Sequence, residues 1–264
     1  STQAKTLFPY TTLFRSIVDL RVFRHRGFSA AVLTISLTFA GFFAANVLTP
    51  LWLQSFMTYT ATDAGMTTAW IGITAFFTAP MVAAMSMKMD PRKLVFCGVL
   101  WLALMTLYRT VATTDMTYWD IAAPLMLLGL GMPFFFIPST AAALSSVDEA
   151  ETNSAAGLMN FMRTLAGAVA TSMVTTYWED EITRNRAELV GVIDPGQIIY
   201  GQLLDQGMTD SQALAALERM VTEQSVMLAT NELMLVVGLI LVFSAFVIWL
   251  VPKPTRSIDT SAVH

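Results

Sequence analysis

The chain has 264 residues, of which 55% are hydrophobic and 13% charged, and its formal net charge is −4. Soluble domains average about 25% charged residues, so composition excludes a water-soluble globule, a disordered chain and a nucleic-acid binder with a basic face. A single cysteine, Cys97, excludes a disulfide-stapled secreted domain.

Residues 1–16 lack the apolar core of a signal peptide, and Pro9 interrupts them. The stretch Leu7-Phe-Pro-Tyr-Thr-Thr-Leu-Phe-Arg-Ser16 is similar to a translated sequencing adapter, so 1–16 are set apart as a non-native tail. Residues 17–27 read as a cytoplasmic lead-in carrying Arg21, Arg24 and Arg26. Long uncharged runs follow, between Arg26 and Asp63, Asp63 and Lys88, Asp120 and Asp148, and Glu232 and Lys253. Each is long enough for the roughly 20 apolar residues of a bilayer-spanning helix. Two further runs are interrupted once, 94–112 by Arg109 and 155–178 by Arg163. These predict six spans, near 28–52, 64–87, 93–112, 120–146, 154–178 and 229–251. Five of them fill 28–178, and the sixth lies in 228–252. The expected fold is an all-α integral membrane protein, a six-helix bundle. Residues 179–227 read as an outer (periplasmic or extracellular) loop. Within it, Asp194-Pro-Gly predicts a turn and the stretch from Asp210 a short amphipathic helix, capped by Thr209 or Asp210. Residues 253–264 form a cytoplasmic tail.

Lys and Arg concentrate before the first span, in Lys88, Arg92 and Lys93 between the second and third, and in Lys253 and Arg256 after the sixth. Positive segments stay cytoplasmic, which places both ends inside. Trp52, Trp119, Trp178 and Trp249 then fall at span ends, as an interfacial belt predicts.

The third and sixth spans are almost wholly apolar and are expected to face lipid. The first, second, fourth and fifth carry polar and helix-breaking residues, which at membrane depth must face protein or a wet cavity. Candidate pathway residues are Asn46, Thr78, Phe135, Asn160 and Arg163. Arg163 reads either as a contact to substrate or to a gating carboxylate, or as a structural arginine capping loop carbonyls; Asn160 is a candidate hydrogen-bond partner. Asn46 reads equally as an interhelical hydrogen bond. Pro80, Gly129, Gly131, Pro133 and Pro138 are candidates for kinking or gating, or for a static bend. Ala166, Gly167, Ala170 and Thr171 form a small-residue face suited to close helix approach. No Asp or Glu lies deep in a span, and neither a catalytic triad nor a metal-ligand motif is present, so no enzyme site, metal or cofactor is expected.

Several segments resemble the C-terminal half of fourteen-span drug:proton antiporters of the major facilitator superfamily, the EmrB/QacA type. They are Asp19-Leu-Arg-Val-Phe-Arg-His-Arg-Gly-Phe28, Pro50-Leu-Trp-Leu-Gln54 with Tyr59-Thr-Ala-Thr-Asp-Ala-Gly65, and Gly129-Leu-Gly-Met-Pro-Phe-Phe-Phe-Ile-Pro138. The most specific is Gly157-Leu-Met-Asn-Phe-Met-Arg-Thr-Leu-Ala-Gly167. Met87-Lys-Met-Asp-Pro-Arg-Lys93 resembles the fold's cytoplasmic loop motif, keeping Asp90, Arg92 and Lys93 without its glycines; Ala170 stands where a second family glycine is usual. The resemblance implies export of hydrophobic drugs in exchange for protons by alternating access, in a bacterial inner membrane. It also implies an absent N-terminal half that holds most coupling acids, and as partners a periplasmic adaptor and an outer-membrane channel. The alternatives are a facilitator-type exporter of a metabolite or siderophore, or a non-transporting membrane scaffold or enzyme subunit.

Overall fold

The computed structural model describes residues 20–252, apart from 112, 114, 115 and 192. The tails 1–16 and 253–264, and residues 17–19 of the lead-in, lie outside the described residues. Among those described there are seven α-helices and no strand. They are α1 (Arg26–Ser55), α2 (Ala61–Ser86), α3 (Pro91–Tyr108), α4 (Tyr118–Leu144), α5 (Thr152–Gly191), α6 (Ile193–Asp205) and α7 (Asp210–Val247).

Helix starts follow local chemistry. The Thr60 hydroxyl accepts from Asp63 N at 3.2 Å, and the Asp63 carboxylate accepts from Thr60 N in return, closing a capping box on α2. Thr117 and Asp120 do the same for α4. Asp90 caps α3, with Pro91 in the first turn where a missing N–H costs nothing. The span-end acids Asp63 and Asp120 thus serve the helix termini.

Five helices are long and apolar enough to cross a membrane: α1, α2, α3 with its 3-10 extension, α4 and α7. Helix α5 is not among them, although it covers the expected fifth span. Asn160, Arg163 and a run of threonines dilute its apolar content. The outer loop also differs from expectation. Helix α5 runs 40 residues to Gly191, and α7 continues unbroken for 38 residues from Asp210. No Pro interrupts α5, and neither Pro nor Gly occurs in α7 before Gly238, so nothing in the sequence stops either helix at the membrane edge. The expected short helix is therefore the start of α7. The Asp194-Pro-Gly segment forms the first turn of α6 rather than a turn of its own, because Pro is tolerated there.

Helix α1 packs against α2, α4, α5 and α7; α4 lies between α2 and α3, and α7 between α3 and α5. Helices α2 and α5 therefore form the two edges. Over its most apolar stretch α2 is 11% buried, against 56% for α1 and α4. Helices α3 and α7 each bury one face, with Val95, Val99 and Leu102 against the core and Trp101 and Leu104 outside it. Cys97 is exposed.

Three glycines set how closely helices approach. A Cβ on Gly98 would lie 2.7 Å from the Phe134 backbone, and one on Gly238 would strike the Leu107 side chain at 2.5 Å. A Cβ on Gly129 would overlap Thr74 Oγ1 and the Ile71 carbonyl. The small-residue face expected on α5 is less demanding, since a Cβ on Gly167 would make ordinary contact with Phe43 at 3.5 Å.

Polar residues of α1 hold it to its neighbours. The Thr38 and Ser244 hydroxyls share a hydrogen bond of 2.7 Å, fully buried between α1 and α7. Thr38→Val should cost about 1 kcal/mol, because it leaves the buried Ser244 hydroxyl with its bond to Thr34 O alone. Thermal unfolding in detergent measures this, and Thr38→Val with Ser244→Ala should cost less than the sum of the single changes.

Candidate functional site

Of the predicted pathway residues, Arg163 of α5 and Phe135 of α4 meet at one aromatic cluster shared with α1. Helices α1 and α5 run alongside each other in the same direction, so Phe39 and Phe43, one turn apart on α1, face Arg163 and Gly167, one turn apart on α5. Phe39 stacks on Phe43 with centroids 5.5 Å apart and meets Phe135 and Phe136 of α4 at 5.9 and 5.6 Å. The Arg163 guanidinium lies over two of these rings, 4.9 Å from the Phe39 centroid and 5.0 Å from that of Phe136. Among the described residues no carboxylate pairs with it. It is half-buried, and Phe43 beside it is 40% exposed. A cation over an aromatic face gains about 0.5–2 kcal/mol, more as it is desolvated. That attraction offsets part of the cost of a charge at membrane depth.

The guanidinium therefore neither caps loop carbonyls nor meets Asn160, with which it shares no hydrogen bond among the described residues. The Asn160 side chain is exposed, and the backbone carbonyl of that residue accepts from Thr164. Asn46 donates from Nδ2 to the Phe42 carbonyl at 2.9 Å and so turns back on its own helix. Phe135 is buried beneath the cluster. Thr78 stands apart on α2 and donates to Thr74 O at 2.9 Å.

The candidate bending helix is continuous from Tyr118 to Leu144, with Pro124, Pro133 and Pro138 inside it. Side chains from both neighbours reach its backbone. Thr74 of α2 donates to Met126 O at 2.9 Å, and Trp101 of α3 to Leu127 O at 2.7 Å. Gly129 and Gly131 sit directly after these contacts, and a Cβ on Gly131 would lie 2.6 Å from the Trp101 ring. The structure thus gives both glycines a packing task. Pro133 and Pro138 are buried, and Pro80 is exposed on α2.

The loop triplet Asp90, Arg92 and Lys93 opens α3. Arg92 is buried and places Nη2 2.9 Å from Asp90 Oδ2 and Nη1 3.1 Å from the Val251 carbonyl, with its guanidinium 5.8 Å from the centre of the Trp249 ring. The motif ties the start of α3 to the end of α7. The Arg92 hydrogen bond, more than any other cause, holds the Asp90 carboxyl below its ordinary value of 3.8. A carboxylate with a depressed folded-state pKa stabilises the fold above its unfolded pKa, and that contribution disappears as pH falls through the folded value. Asp90→Asn keeps the helix cap but loses the ion pair, so its stability deficit at neutral pH should close as pH drops below about 4. Asp90→Ala loses both and should cost about 1–2 kcal/mol. Unfolding followed against pH separates the two variants.

Four contacts were not expected from the sequence. His25 Nε2 lies 3.0 Å from Glu151 Oε2 and ties the lead-in to the turn before α5. Trp178 is buried and donates to Thr230 Oγ1 at 3.0 Å. Trp52 is also buried, so of the four expected belt residues only Trp119 and Trp249 are exposed. Glu181, just beyond Trp178, is buried next to Arg184; burial, and then its hydrogen bond to Glu232, push its carboxyl above the ordinary value.

The sequence model of the Major Facilitator Superfamily matches residues 2–171. The chain belongs to the major facilitator superfamily. This superfamily member is 33% identical over 244 residues to the multidrug export protein EmrB of Escherichia coli. It is 32% identical over 243 residues to EmrB of Haemophilus influenzae, and 30% identical over 245 residues to the fatty acid resistance protein FarB of Neisseria gonorrhoeae. The alignments cover 90–91% of this chain and 48% of each relative. The chain spans about half the length of the curated relatives it matches.

Proposed function

We propose that this chain is the C-terminal half of an EmrB-type multidrug efflux transporter that exports hydrophobic compounds by alternating access in exchange for protons. The observation that carries the reading is Arg163, laid over Phe39 and Phe136 without a carboxylate partner among the described residues. A cation left unpaired by its own protein is available to a passing solute, and the surrounding rings suit a lipophilic body. Bulky lipophilic compounds, including weakly anionic ones, fit both features. The names of the EmrB and FarB relatives support this class.

In this reading α5 also crosses the membrane, as the fifth of six spans, and both ends of the bundle are cytoplasmic in a bacterial inner membrane. Asn46, Thr78, Phe135, Asn160 and Arg163 belong to the pathway. The exposed apolar faces of α2 and α5, including Phe76, Phe77 and Met173, meet an N-terminal half that supplies the coupling acids. The outer ends of α5 and α7 are where an adaptor leading to an outer-membrane channel would dock. The test is drug accumulation in proteoliposomes holding the full-length gene product. Uptake driven by an imposed proton gradient, and lost when the gradient is collapsed, is expected. Transport indifferent to that gradient would remove the antiport mechanism.

A further inference from the structure

A separate cavity of about 380 Å³ lies between the end of α3, the start of α4 and the middle of α7, away from the Arg163 cluster. Its walls are mostly apolar, with Trp52, Ile121, Pro124, Leu127 and Met234 beside Thr230. Tyr108 and Trp119 stand at its rim, 62% and 59% exposed. Two opposite charges line it as well, Arg109 and Asp120. Arg109 donates from Nη2 to Thr49 Oγ1 at 2.6 Å, and among the described residues no carboxylate pairs with it. Asp120 uses Oδ2 for Thr117 N and Oγ1, at 2.9 and 2.6 Å; its other oxygen takes no part in those bonds.

The charges decide what fits. A net anion drawn to Arg109 would be repelled by Asp120, and a net cation would be repelled by Arg109. A neutral apolar guest would leave the Arg109 guanidinium without a partner charge and would gain nothing from Asp120, which is exposed at the mouth. A molecule carrying both a phosphate and a primary ammonium answers each. Tyr and Trp at the rim mark the level of the membrane interface, where lipid headgroups sit. Below the rim the outer surface of the bundle is apolar, with Leu104, Leu235 and Leu239 each about half exposed, a track for acyl chains. We propose that this cavity seats the headgroup of a zwitterionic aminophospholipid of the surrounding bilayer, its phosphate at Arg109 and its ammonium at Asp120. The assignment does not depend on the transport reading, only on these helices standing in a membrane.

The full-length gene product carrying this chain is delipidated in detergent and titrated with phosphatidylethanolamine, phosphatidylglycerol or phosphatidylcholine of matched chains, with occupancy read by native mass spectrometry. Phosphatidylethanolamine is expected to bind at least about tenfold more tightly than the other two. Arg109→Gln should remove most of that binding, Arg109→Lys should retain part of it, and Asp120→Asn should bring phosphatidylethanolamine and phosphatidylglycerol close to parity. Equal binding of all three lipids, or a preference for phosphatidylglycerol in the unaltered protein, would overturn the proposal. Displacement of the lipid by inorganic phosphate at equal concentration would also overturn it, in favour of a free-phosphate site. Should Arg109→Gln fail to fold, quenching of tryptophan fluorescence by brominated lipids in the unaltered protein decides instead. Stronger quenching by the ethanolamine lipid, weakened in Trp119→Phe, supports the proposal; equal quenching by the choline lipid sinks it.

Discussion

Gly129→Val should abolish folding of the bundle, or cost it well over the roughly 1–3 kcal/mol typical of overpacking. The added atoms would overlap the Ile71 carbonyl and Thr74 Oγ1, and Ile71 Cα lies 2.9 Å from the Cβ position. Two of these three obstacles are backbone, so no rotamer change relieves the clash and α2 has to move away from α4. Moving it also breaks the Thr74–Met126 hydrogen bond, which crosses the same contact. Gly131→Ala should be milder, because its nearest obstacle is the Trp101 side chain, although that ring is held by its bond to Leu127. Gly157→Ala is the control. Nothing lies within 4 Å of its Cβ position, and Ala favours a helix by up to about 1 kcal/mol over Gly. Monodispersity and thermal stability in detergent rank the three. Gly129→Val as stable as Gly157→Ala would mean that α2 and α4 do not pack as described.

These glycines show what the sequence reveals and what it hides. The helices themselves were legible, because uncharged runs bounded by Arg26, Asp63, Lys88 and Asp120 mark membrane length. Proline and glycine in α4 suggested bending, but the same residues serve a close helix contact, and composition does not distinguish the two. Polarity misleads in a similar way. Thr38 and Thr49 are polar residues of a span expected to line a cavity, yet Thr38 bonds Ser244 and Thr49 accepts from Arg109. A polar residue in a span reports that it faces protein; which neighbour it faces is a property of the packing. The long outer helices were missed for a different reason. Charge marks where the apolar part ends, whereas only a helix breaker marks where the helix ends, and α5 and α7 contain none at the expected positions. Arg163 was legible as unusual, but its seat on Phe39 and Phe136 joins residues from three helices and no local pattern encodes it.

Arg163→Ala in the full-length protein should reduce export of lipophilic anions at least about tenfold, the effect of losing some 1.4 kcal/mol of interaction, while leaving the fold close to intact. The fold is spared because Arg163 pairs with no carboxylate among the described residues, so truncation strands no buried charge. The Phe39 ring still has Phe43, Phe135 and Phe136 around it. Arg163→Lys separates charge from shape. It keeps the cation, but a compact ammonium does not lie flat across two rings as a guanidinium does, so transport of anions should fall by less than in Arg163→Ala. Neutral lipophilic substrates should be affected little by either change, since they gain nothing from the charge and keep the aromatic wall. Phe136→Leu should weaken both classes, because it removes ring surface from the face and one of the two seats of the guanidinium. Susceptibility of an efflux-deficient strain to anionic and neutral compounds, with protein levels checked, gives the comparison. Unchanged resistance to anionic compounds in Arg163→Ala would reduce the Arg163–Phe39–Phe136 arrangement to a structural contact and take the substrate class down with it.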